Sequence, residues 1–251
     1  MSKIVLITGA TSGIGEACAK LFAKEKYNLI LTGRRTEKLK ALSTQLSSDY
    51  SVQTEILSMD VRVKTEVSLL DTLPEAWKKV DVLINNAGLC LGLDPINAGD
   101  TNDWDTMIDT NIKGLLYVTK LVSGWMVKQQ CGQIINIGSI AGKETYANGN
   151  VYCATKHAVD SLNKAMRIDL LPHNIRVTGI HPGAVETEFS EVRFKGDAER
   201  AKKVYDGFTP LFAVDIAEAI WFTVNRPSHV NINDMIIMPS AQANTANLLR
   251  K

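Results

Sequence analysis

Short runs that are almost wholly apolar alternate along this chain with longer stretches in which apolar residues return every three or four positions. The short runs fall at 4–8, 28–32, 53–59, 82–85, 133–138, 176–180 and 235–238, and most are rich in β-branched residues. Runs of this length, bounded by turn formers, predict strands buried on both faces. The stretches between them predict helices; the first puts Ile14, Ala17, Cys18, Leu21 and Phe22 on one stripe. Strands alternating with helices imply right-handed crossovers, hence a parallel sheet covered on both sides. The pattern therefore predicts a doubly wound α/β fold with a seven-stranded parallel sheet. No repeat, low-complexity tract or linker divides the sequence, so residues 1–251 read as a single domain.

Composition narrows the classes of partner. Of the 251 residues 45% are hydrophobic, enough for a substantial core, and 28 basic residues balance 27 acidic ones. That balance offers no field for nucleic acid or an anionic membrane, so any recognition of charge has to be local. The apolar start meets glycine at once and reads as a strand, not a leader, and no window is long enough to span a membrane. Four scattered cysteines without close pairs predict neither a metal site nor disulfides and suit a reducing cytoplasm. The four histidines show no ligand spacing, so no metal is expected.

In doubly wound folds ligands bind beyond the carboxyl ends of the strands. After the first strand, "TGATSGIG" spaces Gly9, Gly13 and Gly15 as G-x-x-x-G-x-G before a helix. Glycine permits the tight turn and the close approach of backbone amides to a pyrophosphate, and the helix offers its positive end. Thr11, Ser12 and Ile14 belong to the same dinucleotide loop of this Rossmann-type unit. After the second strand stand Arg34 and Arg35, where a carboxylate for a ribose hydroxyl would favour NAD. Two guanidinium groups suit a 2′-phosphate instead, so the cofactor expected is NADP. Asp60 and Val61 follow the third strand, placed for the adenine amino group and the adenine face. After the fourth strand, "NNAG" brings Asn86, Ala87 and Gly88 close to the cofactor.

Ser139 follows the fifth strand, and Tyr152 and Lys156 stand four apart on a predicted helix, where such residues share a face. A phenol titrating near ~10 needs a nearby cation to favour its ionised form at neutral pH; lowering it by about three would take roughly 4 kcal/mol.

Together "TGATSGIG", "NNAG", Asn111 in "TNIKG", Ser139, "YCATK" and "PGAVET" identify a resemblance to the short-chain dehydrogenase/reductase family over nearly the whole chain. The resemblance implies Tyr152 as general acid/base, Lys156 lowering its pKa and holding the nicotinamide ribose, Ser139 polarising the substrate oxygen, and Asn111 positioning a water. It also implies that Pro182, Gly183, Val185 and Thr187 shape the cofactor site, with Thr187 at the carboxamide, and that the protein is a homotetramer.

The long segment at about 184–212 reads as a substrate lid. Arg193 in the lid and Lys143 after the fifth strand are candidates to hold an anion, alongside Ser139 on the substrate oxygen. "EFSEVRFKGD", "HVNIN" and "GLDPINAGDTNDWDTMIDTN" further resemble the NADP-dependent 3-hydroxy acid dehydrogenases, which include serine and L-allo-threonine dehydrogenases. Oxidation of small 3-hydroxy acids such as serine, L-allo-threonine and 3-hydroxypropionate is the activity this implies. The alternatives are reduction of 3-oxoacyl groups on an acyl carrier protein and a non-catalytic nucleotide-binding regulator.

Overall fold

The computed structural model describes residues 2–251. The elements run β1 (Ile4–Thr8), α1 (Gly13–Lys24), β2 (Asn28–Gly33), α2 (Thr36–Tyr50), β3 (Thr54–Ser58), α3 (Lys64–Val67), β4 (Val82–Asn85), α4 (Thr101–Ile108), α5 (Leu115–Gln129), β5 (Gly132–Ile137), α6 (Asn150–Leu170) and β6 (Ile175–Pro182). Then come β7 (Val185–Glu186), α7 (Phe189–Arg193), α8 (Ala198–Lys203), β8 (Leu211–Phe212), α9 (Ala213–Val224) and β9 (Asp234–Ile237). As the apolar pattern predicts, seven strands form one parallel sheet; their order is β3-β2-β1-β4-β5-β6-β9. β7 and β8 form a separate two-stranded parallel pair inside the long segment after β6.

Period-two alternation divides each central strand between two cores. Val5, Ile7, Leu29 and Leu31 pack with α1, α2 and α9 on one face, while Ile4, Leu6 and Ile30 pack with α5 and α6 on the other. Both faces are covered, which is why β1 is buried at all five positions. On α1 the buried residues are Gly15, Cys18, Ala19, Phe22 and Ala23, with Ile14, Ala17 and Leu21 only partly covered. The predicted stripe is thus turned by about one position. The cause is Gly15: a Cβ there would lie 2.3 Å from the Gly9 carbonyl oxygen, so the side that carries no side chain packs closest to the β1 turn.

Strand order reverses between β1 and β4, both of which lead into loops at the same sheet edge. The crevice at such a reversal is where doubly wound sheets take ligands.

Candidate active site

A cavity of about 330 Å³ opens at this reversal. Its floor is the β1–α1 turn, where Gly9 and Gly13 adopt φ of +66° and +54°, a region that side chains disfavour. The turn is braced from β4: the Thr8 hydroxyl accepts from the amides of Asn86 and Ala87, each at 3.0 Å, and the Asn86 amide group donates to the carbonyls of Thr8 and Gly9. Asn86 therefore holds the loop as well as lining the cavity. Gly9, Thr11, Ser12, Gly13, Ile14 and Ala87 line the same space, and Gly15 packs behind it.

The residues present fit a dinucleotide. The glycine turn leaves no room for a Cβ at Gly15, and it lines a crevice that both arginines also line. Arg34 and Arg35 both line the cavity. Arg35 donates from Nε to Thr11 Oγ1 (3.0 Å), from Nη2 to Ser12 Oγ (2.7 Å) and from Nη1 to Glu188 Oε2 (2.7 Å). Val61 and Gly88 also line the cavity, as do Pro182, Gly183, Val185 and Thr187 opposite them.

Asp60 lines the cavity too, but its carboxylate is turned to Arg62, with Oδ2 2.6 Å from Nη2. Burial would raise this carboxyl, and the Arg62 hydrogen bonds outweigh that and hold it below the usual range. An adenine amino group would have to share Asp60 with Arg62.

At the other end Ser139, Tyr152 and Lys156 converge on the cavity. Ser139 is extended and caps a single 3₁₀ turn, its Oγ accepting from the Ala141 amide at 3.0 Å, which leaves the hydroxyl proton free to donate. Tyr152 and Lys156 stand one helical turn apart on α6, both buried, with Lys156 Nζ 6.0 Å from the Tyr152 ring centre. The Lys156 ammonium donates to the Ile137 carbonyl at 2.9 Å, which fixes it to the end of β5.

The electrostatics differ from the expectation that Lys156 lowers the phenol. Burial pushes the Tyr152 phenol well above its ordinary value, only partly opposed by the nearby Ser139 hydroxyl. Burial also brings the Lys156 ammonium down to about 8. Desolvation disfavours both charged forms, and at this separation it outweighs their attraction. In this state Tyr152 is a neutral acid beside a cation that is close to titrating.

Asn111 lies in a π-helical segment, Asp109–Gly114, between α4 and α5. Its Oδ1 accepts from the Leu89 amide (2.9 Å), and Nδ2 donates to the Leu89 carbonyl (2.8 Å) and Thr155 Oγ1 (3.1 Å). Both donors are thus used within the protein, and the side chain ties the β4 loop to α6. π-segments of this kind recur at functional sites because they reset the carbonyl ladder.

The two anion-hook candidates separate. Lys143 does not reach the cavity: its ammonium is 2.5 Å from Asp160 and 3.4 Å from Asp234. That placement differs from the expected substrate contact, and its physical reason is two carboxylates from α6 and β9 competing for the charge. Asp160, His181 and Asp234 bring ligand atoms within 4.8 Å of one another, a cluster that the histidine spacing does not reveal. The Lys143 ammonium already lies among these groups. Arg193 does not line the cavity either, standing next to Val192, which does, but it pairs with no carboxylate among the described residues. Its Nη2 donates to the Tyr146 hydroxyl (3.1 Å) and its Nε to the Gly92 carbonyl (3.2 Å). Tyr146 and Arg193 border the apolar cluster of Leu89, Cys90, Met107, Tyr152 and Cys153, on the Tyr152 side of the cavity. Cys153 is buried there as packing.

Sequence reasoning missed Leu89, Glu188, Phe189 and Val192, all of which line the cavity. Phe189 stacks obliquely on Tyr152 with ring centres 5.8 Å apart. Their only advance signal was membership of the long segment after β6 and of the loop after "NNAG".

The described helices include none long and apolar enough to cross a membrane. The short chain dehydrogenase family model matches residues 3–198. An NADP-dependent 3-hydroxy acid dehydrogenase of Salmonella typhi is 48% identical over 242 residues, covering 96% of each chain. Sulfoacetaldehyde reductase 2 of Chromohalobacter salexigens is 47% identical over 97% of this chain and 96% of its own. The closed form of a serine dehydrogenase complexed with NADP+ superposes with a TM-score of 0.92, at 44% identity, over 99% of both chains. With the glycine turn, the Ser139, Tyr152 and Lys156 convergence and these likenesses together, the chain belongs to the short-chain dehydrogenase family.

Proposed function

We propose that the protein is an NADP-dependent oxidoreductase acting reversibly on the 3-hydroxyl carbon of small 3-hydroxy acids such as serine, L-allo-threonine or 3-hydroxypropionate. The observation that carries this reading is one cavity with paired arginines at one end, a Ser139, Tyr152 and Lys156 cluster at the other, and beyond it an arginine that no carboxylate neutralises. Bound NADP would supply hydride exchange at its nicotinamide ring.

The chain's own residues account for the rest. Gly9 to Gly15 and the start of α1 receive the pyrophosphate, and Arg34 and Arg35 receive the 2′-phosphate. Lys156 holds the nicotinamide ribose, and Thr187 meets the carboxamide. Ser139 donates its free proton to the substrate oxygen, orienting it toward Tyr152. In the reducing direction the neutral Tyr152 gives its proton to that oxygen; in the oxidising direction it takes the proton back. Burial suits it to the first task without help, and the second requires additional positive charge near the phenol. Asn111 fixes the Leu89 loop and α6 relative to each other, and so keeps the cluster in register.

Arg193 and Tyr146 present a guanidinium and a phenol to an anionic group on the substrate. The same pair would serve a sulfonate, and the similarity to a sulfoacetaldehyde reductase favours testing that class as a second reading. Segment 184–212 is the proposed lid, pinned through Glu188 to Arg35 and to Lys38 of α2, and to α4 through Lys195, whose ammonium is 2.9 Å from Asp103. Exposed Leu116, Ile168 and Leu171 on the outer sides of α5 and α6 and the turn that follows support the homotetramer as a further proposal, and sedimentation velocity tests it. Four free thiols suit the proposed cytoplasmic location.

A panel of short 3-hydroxy acids, 2-hydroxyethanesulfonate and a 3-oxoacyl thioester, each with NADP(H) and NAD(H), tests the function by absorbance of the reduced nicotinamide. The reading expects turnover of hydroxy acids with NADP. Turnover of the thioester alone would replace it with acyl reduction, and no turnover of any substrate despite cofactor binding would favour a regulator.

A further inference from the structure

Glu188 stands at the junction between the proposed cofactor site and the proposed lid. It directly precedes α7, which carries Arg193, yet its carboxylate reaches across the crevice to α2. Oε2 lies 2.7 Å from Arg35 Nη1 and Oε1 lies 3.0 Å from Lys38 Nζ. Hydrogen bonds from Arg35 and Lys38 hold this carboxyl down at about 2, so it is charged at every working pH. Arg35 commits all three of its nitrogens, with Nε on Thr11, Nη2 on Ser12 and Nη1 on Glu188, which leaves one N–H free on each Nη. Arg34, exposed and lining the same cavity, makes no hydrogen bond or ion pair among the described residues.

We infer that Glu188 is a specificity-determining residue: its carboxylate holds the Arg35 Nη1 that a 2′-phosphate would share, so NADP must bind against that competitor and NAD need not. The inference rests on the reading of Arg35 as a phosphate ligand. A phosphate monoester carries nearly two negative charges at neutral pH against one on Glu188, so it prevails on Arg35, but against a standing competitor. Left in place, the carboxylate would also lie against the phosphate and repel it. A 2′-hydroxyl brings no charge with which to displace Glu188 and suffers no comparable repulsion. Both side chains of the pair are about two-fifths exposed, so water screens the competition and its effect is modest.

The test is equilibrium binding of NADPH and NADH, followed by nicotinamide fluorescence, to the wild type, Glu188→Gln and Arg35→Ala at low salt. Glutamine keeps the shape of the side chain and removes the charge. Glu188→Gln is expected to tighten NADPH by about two- to fivefold, the range that an exposed ion pair supplies, and to leave NADH within about twofold. An unchanged or reduced preference for NADPH in Glu188→Gln overturns the inference, as does equal tightening of both cofactors, which would make Glu188 a general obstruction of the crevice. Arg35→Ala separates the two levels. If it leaves the NADPH preference intact, the phosphate reading of Arg35 fails. If it abolishes that preference while Glu188→Gln changes nothing, only the role of Glu188 fails.

Discussion

Lys156→Met isolates what it costs to keep a cation in this site. The substitution retains an unbranched chain of similar length and removes the charge. Burial brings the wild-type ammonium down to about 8 from an ordinary 10.5, so below about pH 8 the folded protein holds a charge it has desolvated. Through linkage, a fall of about 2.5 corresponds to roughly 3 kcal/mol of destabilisation at neutral pH. The sign follows from proton counts: between about pH 8 and 10.5 the folded lysine is neutral while the unfolded one is still protonated. The unfolded state binds more protons there, so this group makes stability rise with pH. By about pH 9.5 the cost has fallen to roughly 1 kcal/mol. The hydrogen bond from Lys156 to the Ile137 carbonyl offsets part of the cost, and more so while the amine is charged. Urea unfolding of both proteins at the two pH values reads the net change. The stability of Lys156→Met relative to wild type is expected to decline by about 2 kcal/mol from pH 7 to about pH 9.5. A difference that is flat with pH, or that grows, would refute a desolvated lysine.

Three further outcomes follow from the site. Arg193→Ala is expected to raise KM for 3-hydroxy acids about tenfold or more, with little change in NADPH affinity, because it removes a charge-assisted contact; an unchanged KM removes it from the substrate. Lys143→Gln should leave that KM within about twofold yet cost about 1–3 kcal/mol in urea unfolding, because Asp160 retains only the more exposed Lys164 and the more distant ring of His181. A large KM change there would return Lys143 to the substrate site. Gly15→Ala would place a methyl 2.3 Å from a backbone oxygen, and is expected to cost about 1–3 kcal/mol and to weaken both cofactors; normal stability and binding would show that the turn is not close-packed.

The sheet was readable because strands buried on both faces must be apolar throughout, and all seven runs lie where strands form. The glycine turn was readable for a related reason: its backbone geometry leaves few residue choices at Gly9, Gly13 and Gly15. Charge partners were not. Arg35 meets Glu188 from 153 positions away, and Lys143 meets Asp160 and Asp234 on two other elements, so nothing local marks either pair. The rotation of the α1 stripe depends on how closely Gly15 approaches β1, a distance that periodicity does not encode. The Tyr152 phenol is the clearest case. Spacing places a cation beside it, but the direction of its shift is decided by how much water the fold removes, and that depends on Phe189 and its neighbours closing over it.

Proton transfer by Tyr152 is the central claim, and single-turnover hydride transfer from NADPH in Tyr152→Phe tests it most directly. With NADPH bound as tightly as in the wild type, the rate on the 3-oxo acid should fall by about 10²–10⁴-fold, the contribution of a positioned acid. A variant that binds NADPH and transfers hydride at the wild-type rate would contradict it.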